Sequence, residues 1–323
     1  MLESLVPLIG KIKSPLSPPQ VHEAVNIAFH DVEAAHYDRV HADMRESLGQ
    51  QMDLLVSDAA LALSGRQLSL LDIGCGTGMS TELLLQTALG QKIAHVTLAD
   101  TSPNMLAHAQ KRAENWGIPF DTHLGGIESL ENKFDIILVC SVLHHIPEVD
   151  SFLERLSKLQ ETGGTLLHLQ DPNGDHLNDP SYLERIREFE STKTRSIRKK
   201  ILGIVPKNFK TAARRMLGIK TYIDVVNDRL LSTGAIAKPM IEEEIWSVTD
   251  IHVDGLPYSV GKGISLEHIK RTLSGYELVS SRAYGFFGYL KSVLDVQFQQ
   301  REQELIDTRT ANGRYISGIW IKK

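Results

Sequence analysis

Residues 70–78 read LLDIGCGTG, and this stretch predicts the fold more strongly than any other part of the chain. The apolar residues around Asp72 are typical of a buried strand, and glycine then occupies every second position of the turn that follows. A helical pattern of apolar residues begins at once with Met79. Glycines allow a ligand to approach the backbone closely, and a helix N-terminus offers free N–H groups. The stretch therefore predicts the strand, ligand-binding turn and helix of an α/β fold.

The spacing of the glycines distinguishes two kinds of ligand. A dinucleotide-binding turn reads G-x-G-x-x-G, and its third glycine would fall at position 79, where this chain has Met79. That difference disfavours an NAD-linked dehydrogenase. The sequence D-x-G-x-G-x-G instead resembles motif I of class I S-adenosylmethionine (SAM) methyltransferases. The resemblance implies SAM as cofactor, S-adenosyl-L-homocysteine (SAH) as its product, and a cofactor site that includes Asp72, Gly74, Cys75 and Gly76.

A second predicted strand, residues 93–98, leads to Asp100. An acid at the tip of the second strand is where a nucleotide ribose meets a carboxylate that accepts from its hydroxyls. Residues 100–106 then open a predicted helix and resemble the family's D-x-S-x-x-M-L segment, in which the methionine lies against adenine. The resemblance assigns Asp100, Thr101 and Met105 to the cofactor site.

The third matching segment departs from the family pattern. Residues 125–130 align with the family's G-D-A-E-x-L, whose aspartate receives the adenine amino group, but this chain has Gly126 at that position. Adenine recognition is then left to backbone groups, to Glu128, or to another group. Gly126 and Ile127 are assigned to the cofactor site on the resemblance. The apolar run 134–140 predicts a buried parallel strand, and Cys140 at its end is assigned to the same site.

Three residues are candidates for catalysis. His144 and His145 lie in the loop after the fourth strand, and imidazole titrates near neutral pH, so either could act as a general base. The alternative is that they pack beside SAM. Tyr37 belongs to the polar segment 29–41, whose Y-D pair resembles the N-terminal cap that closes over SAM in small-molecule methyltransferases; the alternative is a solvated helix face. No metal site is expected from the histidines of this segment, because His36 and His41 are five residues apart, which suits one helix face poorly.

The predicted fold is a seven-stranded, mostly parallel Rossmann-like methyltransferase sheet of the α/β class. Prolines at positions 7, 15, 18 and 19 favour an irregular start to the chain. The predicted organisation is an N-terminal arm and helical cap (1–64), a SAM-binding core (65–174), an inserted lid or substrate subdomain (175–266), and C-terminal strands that complete the core sheet (267–323).

The insert contains a strongly basic stretch, residues 191–220, with ten Lys and Arg and no acid, in a chain whose net charge is −5. Three hypotheses remain open for it: a solvated lid face, recognition of an anionic small acceptor, or docking on a membrane surface. The negative charge of the rest of the chain favours a small acceptor over membrane contact.

Composition limits the class of protein. The 323 residues are 42% hydrophobic and 23% charged, which is typical of a soluble globular protein, and the negative net charge gives no support for a nucleic-acid partner. Two cysteines, both in the predicted cofactor region, argue against a disulfide framework, and the first residues lack the basic start of a secretory signal. A cytoplasmic location is therefore expected, whereas the oligomeric state stays open.

The favoured function is transfer of a methyl group from SAM to a nitrogen or oxygen of a small molecule in specialised metabolism. Such an enzyme acts mainly by alignment, which can supply about 7–11 kcal/mol of the barrier. One alternative is a methyltransferase for a lipid-linked or membrane-associated acceptor docked through the basic insert. Another is a SAM-binding module without turnover. The acceptor, the atom methylated and the need for a general base are left open by the sequence.

Overall fold

The computed structural model describes residues 2–59, 67–200, 220–261 and 263–323, with backbone only for residues 193–200. Seven strands form one sheet in the order β3-β2-β1-β4-β5-β7-β6. Strands β1 to β5 pair in parallel, and β7 is antiparallel to both neighbours. The predicted fold class is confirmed. The strands are β1 Leu68–Ile73, β2 Ile93–Asp100, β3 Phe120–Leu124, β4 Phe134–Cys140, β5 Gln160–Pro172, β6 Tyr276–Tyr284 and β7 Tyr315–Lys322.

The strand order reverses between β1 and β4, which are neighbours in the sheet although β2 and β3 come between them in sequence. In open parallel sheets, ligands bind outside the carboxyl ends of the strands at such a reversal. The described helices are α1 Val6–Ile12, α2 Pro18–Glu33, α3 Tyr37–Val40, α4 Ala42–Ala59, α5 Met79–Leu85, α6 Pro103–Ala113, α7 Val149–Leu159, α8 Pro180–Lys200, α9 Tyr222–Ser232, α10 Glu242–Thr249, α11 Leu266–Thr272 and α12 Val296–Asp307.

Helices cover both faces of the sheet. Helices α4, α5 and α6 bury Leu48, Leu84 and Leu106 against one face, and α7 and α11 bury Leu156 and Ile269 against the other. Strand β4 is covered on both sides, which explains its uninterrupted apolar sequence. The carboxyl edge of β1, β2 and β4 therefore lies between two packed helical layers.

The N-terminal cap and the insert pack together in one apolar cluster. Phe29 of α2, Val226 and Leu230 of α9, and Ile245 of α10 are buried in that cluster. It joins segments that are about two hundred residues apart and extends over the carboxyl edge of the sheet, where α2 and α10 contribute to the wall of a cavity.

The expectation of an irregular start was wrong. Helix α1 forms over Val6–Ile12, and α2 begins at Pro18. Pro7, Pro18 and Pro19 each occupy one of the first two positions of a helix, where an N–H would have no intrahelical partner and the fixed φ of proline suits the helix. These prolines start helices rather than break them.

Most of the basic stretch 191–220 lies outside the described residues. Helix α8 includes residues 191–200, and residues 201–219 are not described. The hypotheses of a solvated face, an anionic acceptor and a membrane contact therefore stay predictions. Among the helices of the described ranges, none combines the length and the apolar composition that crossing a bilayer requires.

Candidate functional site

The glycine turn after β1 requires glycine for steric reasons. Gly74, Gly76 and Gly78 have φ values of 64°, 53° and 78°, in the left-handed region that other residues rarely adopt. A Cβ atom on Gly74 would also stand 2.5 Å from Cγ2 of Val142 in the loop after β4. The turn is therefore compact, with its backbone open to the cavity at Gly74 and Gly76.

Asp72 lies beneath this turn and is fully buried. Its Oδ2 accepts hydrogen bonds from Ser80 Oγ at 2.9 Å and Thr81 Oγ1 at 2.6 Å, both on α5. Its Oδ1 has no hydrogen-bond partner among the described residues, and burial raises the pKa of the carboxyl to about 7. Asp72 does not line the large cavity, so in this structure it fixes the start of α5 against β1 from behind the cavity wall.

Asp100, at the end of β2, does line the cavity. Its Oδ2 accepts from the Gly76 N–H and its Oδ1 from the Ser102 N–H, both at 2.8 Å. These bonds join the glycine turn to the start of α6. Burial nevertheless raises the pKa of Asp100. Each carboxylate oxygen keeps lone-pair capacity, so the group can also accept from a ligand hydroxyl.

One large cavity, of about 1410 Å³, extends along the carboxyl edge of the sheet. A pocket for one drug-sized ligand is about 300–1,000 Å³, so this cavity has room for a cofactor and a second molecule. Cys75 does not line it: its side chain is buried in the core beside Met79, and its N–H donates to Ala99 O at 3.0 Å. The sequence-predicted residues that line the cavity are Tyr37, Gly74, Gly76, Asp100, Thr101, Met105, Gly126, Ile127, Cys140, His144 and His145.

Glu128 lies beside Gly126, the position at which the pattern that this segment resembles has an aspartate. Its carboxylate occupies the space in which a Cβ atom on Gly126 would stand, and both residues line the cavity. Arg155 of α7 holds this loop by donating to the Ile127 and Glu128 carbonyls at 3.3 and 2.9 Å. The structure thus brings a carboxylate two residues later in sequence to the position left free at Gly126.

Helix α3 is fastened over the glycine turn. Asp38 accepts from Thr77 Oγ1 at 2.6 Å and also pairs with Arg112 of α6. Tyr37, the first residue of α3, packs against the core cluster beneath the turn and lines the cavity. Burial raises the pKa of its phenol. The segment therefore covers the end of the cavity that Asp100 lines.

His144 and His145 also line the cavity and lie in a 3₁₀ turn after β4. His144 Nδ1 is 2.9 Å from Asp171 Oδ1. Burial alone would lower the pKa of His144, but the hydrogen bond to Asp171 and the negative charges of Asp171 and Asp250 together outweigh burial and raise the pKa. His145 Nδ1 donates to Thr249 O at 2.7 Å, and burial together with the nearby His144 holds its pKa well below the usual value. The two adjacent imidazoles thus have different charge preferences.

Four residues near these histidines were missed by the sequence analysis: Asp171, Asp250, His30 and Glu33. Asp250 Oδ1 is 3.7 Å from His144 Nε2 and 3.4 Å from His145 Nδ1. The His30 ring centroid lies 5.0 Å from that of His145. Burial would raise the pKa of Glu33, but hydrogen bonds with His30 and His41 lower it to about 2. His30 and Glu33 lay within the polar segment 29–41, whereas Asp250 had no sequence signal.

Comparison with known proteins places the core of this chain among methyltransferase domains. Residues 71–166 match a family model described as a methyltransferase domain. The ubiquinone biosynthesis O-methyltransferase of Azorhizobium caulinodans is 30% identical over 135 residues, which are 40% of this chain and 51% of that protein. The enzyme of the same name from Nitrobacter winogradskyi is 35% identical over 101 residues, 31% of this chain and 37% of that protein. The matched part of this chain thus spans about half, or less, of the length of these curated relatives.

Among solved structures, the magnesium protoporphyrin IX methyltransferase of Synechocystis PCC 6803 with bound SAH overlaps 94% of this chain and 100% of that chain. The TM-score is 0.48 and the sequence identity 13%. The structure of the plantazolicin methyltransferase in complex with SAH covers 97% of this chain and 98% of its own chain, with a TM-score of 0.45 and 12% sequence identity. The matched segment 71–166 contains every residue that the sequence analysis assigned to the cofactor.

Proposed function

We propose that this chain, whose residues 71–166 match a methyltransferase-domain model, is a class I SAM-dependent methyltransferase that transfers a methyl group from SAM to a nitrogen or oxygen of a small molecule. One observation carries the proposal. A single cavity is lined both by the glycine turn with Asp100 and by His144, His145 and Asp250. A cofactor bound against the first group, here called the cofactor end, and an acceptor bound against the second, the acceptor end, would share one cavity, as a direct transfer requires.

The cofactor end suits SAM by its chemistry. The exposed backbone of Gly74 and Gly76 leaves room for the methionine part, Asp100 accepts from the ribose hydroxyls, and Met105 with Ile127 forms apolar walls for adenine. Thr101 and Cys140 complete the wall, while Tyr37 covers it from α3. Acidic groups near this end also favour the positive charge of the sulfonium.

In methyl transfer the acceptor atom forms a bond to the methyl carbon while the bond from that carbon to sulfur breaks, and the sulfonium becomes the neutral thioether of SAH. The proton that the O–H or N–H group loses is released to solvent. The protein's main contribution is alignment of acceptor, methyl and sulfur. We assign His144 and His145 to the acceptor end, where their imidazoles orient the reacting O–H or N–H group. Tyr37 acts from the opposite side, by closing over the cofactor.

The acceptor's charge follows from the groups around it. Among the described residues that line the cavity, acidic side chains outnumber the two arginines, Arg155 and Arg314. Both arginines are engaged by backbone carbonyls, Arg155 at Ile127 and Glu128 and Arg314 at Gly288. This part of the wall favours a neutral hydroxyl or amine compound of specialised metabolism over an anion.

The free cysteines, both buried, suit a reducing compartment such as the cytoplasm.

The test is calorimetric titration of the full chain with SAM, SAH and NADH, comparing the wild type with Asp100→Ala. Charge-assisted hydrogen bonds contribute about 1.5–3 kcal/mol each, so the variant should lose at least tenfold in SAH affinity. Asp121→Ala, the same change at an exposed acid on β3, is the matched control and should bind SAH normally. NADH binding without SAM binding would contradict the proposal, and unchanged affinity in a folded Asp100→Ala variant would remove Asp100 from the site.

A further inference from the structure

His144, His145 and Asp250 converge at the acceptor end of the cavity. The two histidines come from the turn after β4, and Asp250 comes from the end of α10 in the insert. Each residue offers one potential ligand atom, and these three atoms lie within 4.8 Å of one another. Among the described residues, these three therefore form a group that could hold a metal ion. This cluster is separate from the glycine turn and Asp100, which serve the cofactor.

The distance between His144 Nε2 and Asp250 Oδ1, 3.7 Å, fits shared coordination better than hydrogen bonding. Asp250 Oδ1 is also 3.4 Å from His145 Nδ1, but that nitrogen is bonded to the Thr249 carbonyl, so a metal would bind His145 through Nε2. Nitrogen–oxygen hydrogen bonds are about 2.7–3.2 Å, so neither contact is one. Ligand atoms bound about 2.1 Å from one zinc-like ion in tetrahedral geometry are roughly 3.4 Å apart.

Both histidines are held by partners of the kind that metal-binding histidines have. His144 Nδ1 bonds to Asp171, whose side chain is fully buried, and His145 Nδ1 donates to the Thr249 carbonyl. Each ring therefore keeps its Nε2 free of those bonds. A metal-ligating histidine typically donates its other ring N–H to a carboxylate or a backbone carbonyl, which fixes the ring and makes it a better ligand.

Asp250 has no lysine or arginine partner among the described residues, and its ion-pair distances are to the two histidines alone. Its side chain is 20% exposed, on the cavity side. A mostly buried carboxylate with no lysine or arginine beside it is stabilised by a cation, and a divalent ion between the three side chains would supply one.

We propose that His144, His145 and Asp250 bind one divalent first-row transition metal ion, with its remaining coordination positions facing the cavity. Two imidazoles and a carboxylate match the ligand preferences of zinc, iron and neighbouring metals, and three protein ligands leave a position for an exogenous oxygen. This inference rests on the proposed function: the ion would bind the acceptor's hydroxyl oxygen and make its proton easier to lose. It narrows the acceptor class to oxygen compounds that can ligate a metal.

The test is titration of the metal-free full chain with Zn²⁺ by calorimetry and with Co²⁺ by its visible absorption. The wild type should bind one ion, and Asp250→Asn and His145→Ala should each weaken binding at least tenfold. Asp171→Asn should weaken it about 10–100-fold, the effect typical of losing such a supporting partner. His176→Ala is the matched control, because His176 is another buried histidine of the cavity wall and is bonded to Asn173 instead; it should bind the ion as the wild type does.

SAH titration of each variant separates the two proposals and reports whether the variant is folded. Wild type that binds SAH but no stoichiometric ion would overturn the metal site and leave the methyltransferase proposal intact. Variants at 145 and 250 that bind SAH and the ion as tightly as the wild type would also overturn it. Failure of the wild type to bind SAM or SAH would contradict the proposed function, whatever the metal titration gives.

Discussion

At the residue scale, the cofactor end of the cavity depends on where individual carboxylates lie. Asp100 binds two backbone N–H groups and still faces the cavity, so it can connect the turn to a ligand. Glu128 occupies the space beside Gly126 that a side chain at that position would need. The carboxylate that the family pattern would have at position 126 is missing, and the Glu128 carboxylate lies in its place, so the role of Glu128 can be tested.

We predict that Glu128→Ala lowers SAH affinity about fivefold to tenfold, because a charged acceptor for the adenine amino group is lost. The double variant Gly126→Asp with Glu128→Ala should recover most of that loss. Backbone angles at Gly126, φ −76° and ψ 171°, suit any residue, and removal of the Glu128 side chain clears the space. Calorimetry measures the SAH affinity of the single and the double variant, and Glu131→Ala is the control, which should bind SAH as the wild type does. Equal affinity for wild type and Glu128→Ala would show that backbone groups recognise adenine.

At the element scale, helix α3 is the part of the proposed cofactor site that is held mainly by side-chain contacts. Its link to the turn consists of the Asp38 bond to Thr77 and the Asp38 pair with Arg112. Four residues form a short helix with little stability of its own. Closure over a bound cofactor should therefore order this segment measurably.

We predict that hydrogen exchange of residues 30–41 slows when SAH is added, because the cofactor packs beneath Tyr37. Asp38→Ala should speed exchange there before SAH is added and reduce the protection that SAH gives. Asp53→Ala, the same substitution at an exposed residue of α4, is the control and should leave exchange in this segment unchanged. Exchange rates in this segment that do not respond to SAH would mean that α3 is not part of the cofactor site.

A second element-scale prediction concerns Glu302 of α12, which accepts from the Gly285 and Phe286 N–H groups at 2.7 and 2.9 Å after β6. Burial raises its pKa to about 7 from an ordinary value of 4.5. A carboxyl whose pKa is higher in the folded state contributes stability below the unfolded pKa and loses it as pH rises through the folded value.

The free energy of unfolding of wild type, relative to Glu302→Gln, should therefore fall by about 3 kcal/mol between pH 4.5 and pH 8. Urea unfolding at several pH values measures this difference, and ionisations common to both proteins cancel. A difference that stays constant over this range would mean that Glu302 titrates normally in the folded protein.

At the scale of the whole molecule, the sequence predicted the parts whose determinants are local. Strands β1, β2 and β4 and their turns could be identified because each apolar strand is followed directly by its polar or glycine residues, and parallel strands bring those ends to one edge. The packing of the insert against α2 could not be predicted, because it depends on contacts between distant segments. Asp250 was missed for the same reason: it lies over a hundred residues from His145 in sequence. The proposed metal site departs from the sequence-based expectation of none, which considered His36 and His41 alone.

The proposed transfer of a methyl group from SAM to a small molecule can be followed directly. SAM with a ¹³C-labelled methyl group is supplied together with a panel of neutral hydroxyl and amine compounds, and label and SAH are measured by mass spectrometry. SAH should form in step with one labelled product, and Asp100→Ala should slow both while Asp121→Ala should not. Binding of SAM with no labelled product from any compound and no acceptor-dependent SAH would contradict it, and would favour a SAM-binding module without turnover.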